Sequence, residues 1–116
     1  MKRFEDFIIW QEARLLVNDI YRIHINSNDY SFKDQIQRAS ISVMNNISEG
    51  SESGSDAAFI RYLRIAKASC AEVRSMLYLS EDFNIIGSEE ANSLRIQTNK
   101  IAAGIFNLIN YLKKKT

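Results

Sequence analysis

The residues of this chain that could do chemistry are few. His24 is the only histidine, so neither a histidine-based metal cluster nor a Ser-His-Asp triad can be built within one chain. It reads as structural or solvent-facing. Cys70, the only cysteine, sits on an apolar helical repeat and reads as a small buried hydrophobe, not a reactive thiol. Glu49 precedes Gly50 near a helix C-terminus, where a carboxylate meets the negative end of the dipole and needs a partner. Bracing or ending the hairpin explains it more simply than acid–base work. Ser69 and Glu72 lie three residues apart, and pairing with Arg38 or Lys33 across a hairpin is expected. A lone acid without a base partner accounts for no reaction. SEGSESGS holds two glycines but no following lysine, so it is no phosphate loop. These residues imply no catalysis, no metal and no cofactor.

The cations are more informative. On a count of about 100° per residue, Arg64, Lys67 and Arg74 share one side of their helix, and Arg38 can lie on the neighbouring one. Two readings fit: a solvated face, or a phosphate-contacting patch that an oligomer repeats. Tyr62 and Tyr78 are read as facing the other way, so no stacking platform for a single strand is expected. The net charge of +1 means that only a local patch could attract nucleic acid.

Composition narrows the frame that must position these residues. The 116 residues suit one domain, 1–116, with a real core. There is no proline and there are four glycines, which favours long helices. One cysteine allows no internal disulfide and fits a reducing compartment. No apolar run approaches the roughly 18 residues of a membrane span. Glu5 and Asp6 interrupt the N-terminus before any apolar region builds, so it does not read as a signal peptide. A cytoplasmic protein without a membrane partner is expected.

Hydrophobic spacing predicts four helices. The first runs from about Phe7 to Ile25, with Ile9, Ala13, Leu16, Ile20 and Ile23 on one face and Asp6 as N-cap. The second runs from about Phe32 to Glu49, opened by a Ser31/Asp34 capping box and closed by a left-handed Gly50. Asn45 and Asn46 are poor mid-helix residues and call for a cross-helix hydrogen bond or a subunit contact. The third, about Asp56 to Asp82 with Ser55 as cap, carries Phe59, Leu63, Ala66, Cys70, Val73 and Leu77 at strict 4-3 spacing. A second stripe of Tyr62, Ile65, Ser69, Met76 and Leu79 runs beside it. The fourth starts at a Ser88 cap and runs through Leu94, Ile101, Ile105 and Leu112 to three lysines. Short connections make this an all-α, antiparallel up-down-up-down four-helix bundle. The second stripe, with Ile8, Ile41, Met44 and Phe106 beside it, exceeds what one bundle hides and predicts self-association.

The stretch from Gln35 to Leu77 resembles the 23S rRNA intervening sequence proteins, small bacterial four-helix bundles of which some are encoded by inserts within 23S rRNA genes. The resemblance rests on Gln35, Arg38, Ser42 and Asn46-Ile47-Ser48-Glu49-Gly50, then Phe59, Leu63, Ala66, Ser69 and Glu72. Phe4, Trp10 and Ala13 extend it towards the N-terminus. Ala68 departs from the glycine usual there, which is expected to alter a close helix contact but not the fold. The family is similar in turn to the accessory variability protein of diversity-generating retroelements. The resemblance implies a ring-shaped homopentamer. For the retroelement relative it implies binding to nucleic acid and to a reverse transcriptase. The expected function is a non-enzymatic ring that binds RNA or DNA through Arg38, Arg64, Lys67 and Arg74. The alternative is a scaffold that recruits a partner protein such as a reverse transcriptase.

Overall fold

A computed structural model describes residues 2–115 and contains four helices, α1 (Ile8–His24), α2 (Tyr30–Ser51), α3 (Asp56–Asp82) and α4 (Ser88–Lys115), with a 3-10 turn at Phe4–Asp6. No strand occurs among the described residues. Each helix packs on the next in sequence, and α1 closes against α4. The bundle measures 46 × 22 × 20 Å, which matches α4, whose 28 residues span about 42 Å at 1.5 Å per residue. Among the described residues no helix is long and apolar enough to cross a membrane.

The predicted stripes form one core. Leu16, Ile20, Ile36, Ile47, Leu63, Leu77, Ile101 and Ile105 are fully buried, and the 4-3 spacing of α3 keeps Phe59, Ala66, Cys70 and Val73 inside with them. Their burial is the main stabilising term, at about 25 cal/mol per Å² of apolar surface. Every buried side-chain nitrogen and oxygen among the described residues has a hydrogen-bond partner. His24 is the largest of these buried polar groups. Its Nδ1 is 2.7 Å from the Ile20 carbonyl and its Nε2 2.9 Å from Ser80 Oγ.

The helix ends differ from expectation at several points. Asp6 belongs to the 3-10 turn, and Phe7 stands at the N-cap of α1 without a side-chain bond. Asp29, not Ser31, caps α2 by accepting the Phe32 N–H at 3.1 Å. Ser31 lies inside the helix, so the capping box does not form. Gly50 does not end α2. It is helical and buried, and the left-handed glycine is Gly54, at φ 92° in the following loop. Ser55 caps α3 as expected, accepting the Ala58 N–H. Asn84, at φ 60°, ends α3: its N–H bonds to the Glu81 carbonyl and that of Ile85 to the Ser80 carbonyl, a Schellman closure. Ser88 is the first residue of α4 and not a cap before it.

Candidate nucleic-acid interface

The α2–α3 contact gathers most of the motif residues. Asn46 Nδ2 donates to the Ser42 carbonyl at 2.8 Å and to Ser42 Oγ at 3.0 Å. The Ser69 hydroxyl donates to the same Ser42 Oγ at 2.8 Å. Asn46 is therefore held within its own helix, and the cross-helix bond is made by the two serines. Gln35 Nε2 reaches Glu72 Oε2 at 3.5 Å. Arg38 and Lys33 do not pair with Ser69 or Glu72. Arg38 Nε bonds Asp34 one turn away at 2.8 Å, and Lys33 lies over the Tyr30 ring. Glu49 is exposed. Gly50 packs where α3 arrives: a Cβ there would stand 2.8 Å from Phe59 Cδ1 and 2.8 Å from Tyr62 Cβ.

Of the second stripe, Met76 is in the core and not on the surface, because the bundle closes over that side of α3. Ser69 is buried too and Tyr62 half-buried, while Ile65 and Leu79 are exposed. Ala68 is exposed, so the contact it was expected to alter is not one within the bundle.

Three of the four cations of α3, Arg64, Lys67 and Arg74, face the opposite flank, towards α4. Arg74 donates to Asn99 Oδ1 and Lys67 lies over the Phe106 ring at 5.8 Å. Arg64 stands three residues before Lys67, on the same flank, and is exposed. Arg38 sits on the α2 side of α3 and is not continuous with these three. The structure adds Arg95 of α4, which sequence reasoning missed. Its guanidinium lies 4.1 Å from the centre of the Tyr78 ring and 3.1 Å from Glu81 Oε1. Tyr78 therefore belongs to the basic flank. It follows Arg74 by four residues and Lys67 by eleven, which returns it to the same helix face.

Two facing stripes result. On α3 stand Arg64, Lys67, Ala71, Arg74 and Tyr78; on α4 stand Asn92, Arg95, Asn99, Ala103, Phe106 and Asn110. Between Arg64 and Tyr78 the α3 stripe holds no carboxylate. Glu81, three residues beyond Tyr78 on the same face, closes it and pairs with Arg95, whose side chain is only 13% exposed. Cys70 lies beneath this flank. Burial pushes its thiol up to about 12, and the nearby Arg74 and Lys67 only partly oppose that. It is neither a nucleophile nor a metal ligand at neutral pH.

No cluster of three or more metal-ligating side chains occurs among the described residues. A cleft of about 690 Å³ opens at the end of the bundle where Phe7, Ile9, Phe59, Leu108 and Leu112 meet. The charged groups lining it are Lys2, Asp56 and Lys115, and Asp56 pairs with Lys115 at 3.8 Å. An ion pair beside an apolar floor assembles no nucleophile with its base.

The sequence model of the 23S rRNA-intervening sequence protein family matches residues 5–107. The fold is similar to a crystal structure from Bacteroides thetaiotaomicron, that of a protein with unknown function from the S23 ribosomal protein family. The TM-score is 0.81 at 24% identity, covering 88% of this chain and 98% of the other. No curated protein matches the chain.

Proposed function

Because the chain belongs to the 23S rRNA-intervening sequence protein family, we propose that it is a non-enzymatic helical protein that binds nucleic acid through the α3–α4 flank. One observation carries this reading: Arg64, Lys67 and Arg74 line a face of α3 that holds no carboxylate between Arg64 and Tyr78, and the facing stripe of α4 holds none from Asn92 to Asn110. In a chain of net charge +1 such segregation is not a by-product of a basic composition. Arginine and lysine on an exposed flank neutralise phosphates and release counterions, so the binding is tolerant of sequence and steep in salt. We also propose self-association through the other side of α3, where Ile65 and Leu79 are exposed beside Tyr62. Glu72 falls on the same face between Ile65 and Leu79, seven residues from each, and Arg38 and Glu49 lie on the neighbouring α2. A ring built there, with five subunits as the resemblance implies, leaves the α3–α4 flank outside the contact and repeats it in every subunit. Weak sites linked in this way gain through effective concentration.

The test is a titration of labelled RNA and DNA at two salt concentrations, with wild type and an Arg64→Gln/Lys67→Gln/Arg74→Gln variant. Removing one cation from a phosphate reduces the log–log salt slope by about 0.7–0.9. The variant should bind all sequences more weakly and keep its oligomeric state. Absence of binding by the wild type at low salt, with a protein partner recovered instead, moves the function to a scaffold for a partner enzyme.

A further inference from the structure

The α3–α4 flank carries aromatic rings as well as cations, in a fixed alternation. Phe106 is 51% exposed and Tyr78 55% exposed. Phe106 stands with Lys67, and Tyr78 with Arg95. Between these two steps lies Arg74 with Asn99. The steps are eleven residues apart on both helices, Lys67 to Tyr78 and Arg95 to Phe106, or about 16 Å along the axis. Tyr30 is also exposed and flanked by a cation, Lys33, but it stands at the start of α2 away from this flank; these two rings share one flank with Arg74 between them. Arg95 covers one face of Tyr78, and a ring that remains more than half exposed presents its other face and edge to solvent.

We infer that this flank binds single-stranded nucleic acid in preference to duplex, with unstacked bases lying on Tyr78 and Phe106 and the intervening phosphates on Arg74 and Lys67. The inference rests on the reading of the flank as a nucleic-acid interface. A duplex keeps its bases inside and offers phosphates alone, so it cannot use the rings. A single strand offers both, and stacking on an aromatic ring tolerates any base because every base has a π-face. Even a fully stacked strand advances only about 3.4 Å per nucleotide, and an unstacked one advances further, so a short strand spans the two rings while a single nucleotide reaches only one of them. The tyrosine hydroxyl and the amides of Asn92, Asn99 and Asn110 add polar contacts without demanding a sequence.

The test uses the full chain and three probes at one low salt concentration: a ten-nucleotide oligo-dT, thymidine monophosphate and a random duplex. Tyr78→Leu and Phe106→Leu keep an apolar side chain at exposed positions, and circular dichroism checks their fold. Wild type should bind the ten-mer at least tenfold more tightly than the mononucleotide or the duplex. Each leucine variant should lose about tenfold on the ten-mer and little on the duplex, and ultraviolet cross-links from the ten-mer should map to Tyr78 or Phe106. Equal affinity for ten-mer and duplex, both weakened by the triple glutamine variant and unmoved by the leucine variants, overturns the stacking inference and leaves the phosphate interface standing. Failure of every probe overturns both.

Discussion

Gly50 lies flush against Phe59, so close that a Cβ on the glycine would stand 2.8 Å from the Phe59 ring and equally close to Tyr62 Cβ. Tyr62 Cβ is fixed to the α3 backbone and cannot swing away. The glycine is helical, so its role is close approach of two helices and not left-handed backbone. Gly50→Ala should therefore destabilise by roughly 1–3 kcal/mol through overpacking, less the ~1 kcal/mol that alanine gains in a helix. Gly87→Ala, with nothing within 4 Å, should be neutral or slightly stabilising. Urea melts of the two variants decide it, and equal midpoints would refute close approach as the role of Gly50.

Ser42 and Ser69 tie α2 to α3 through their hydroxyls, and Asn46 shares the same acceptor. Removing one partner leaves a part-buried hydroxyl unsatisfied, so Ser42→Ala should cost about 1–2 kcal/mol and Ser69→Ala about 1 kcal/mol. The double variant should cost less than the sum, with a coupling of at least ~0.5 kcal/mol. Strict additivity in denaturant melts would mean that the bond contributes nothing.

His24 makes stability depend on pH. The Ile20 carbonyl can only accept, so Nδ1 carries the proton and Nε2 accepts from Ser80. Burial lowers the histidine from its ordinary value, and the backbone bond to Ile20 partly offsets this. The unfolded chain then takes up a proton near pH 6.5 that the folded chain still refuses. Stability should be full above pH 6.5 and fall as the pH drops below it, by at most about 1.4 kcal/mol per pH unit. Ser80 can turn its hydroxyl to the Met76 carbonyl, so the charged ring keeps its hydrogen bonds and the penalty is desolvation. Melts of wild type and His24→Met at pH 7.5 and 5.5 test the sign; the variant should lose the dependence.

Leu63 and Ile105 are fully buried in the common core. Leu63→Ala should cost about 2–5 kcal/mol, and Leu63→Asp or Ile105→Asp should abolish cooperative folding, since an unpaired buried charge costs several kcal/mol. Circular dichroism that still reports a cooperative helical melt for either aspartate variant would contradict this core.

Ile65→Lys combined with Leu79→Lys tests the proposed self-association. Both positions are exposed in the subunit, so the helical signal should be retained. Sedimentation at micromolar concentration should show an oligomer for wild type and a monomer for the variant. A monomeric wild type would overturn that proposal without touching the α3–α4 flank.

By itself the sequence determined the four helices and the core. The 4-3 spacing of Phe59 to Leu77 and of Ala91 to Leu112 leaves one face to bury per helix, and short polar breaks reverse the chain. It also placed Arg64, Lys67 and Arg74 on one side of α3, because helical periodicity alone sorts residues around an axis. Only the tertiary structure decided what lies across from them. Arg95 and Phe106 come from α4, and their register against α3 depends on how the two core stripes interlock. The same holds for Met76, whose place in a second stripe carried no sign that the bundle would close over it. Gly50 shows the limit most directly: a glycine near a helix end satisfies both a left-handed stop and a helix contact. The choice is made by a neighbour, Phe59, that the local sequence does not contain.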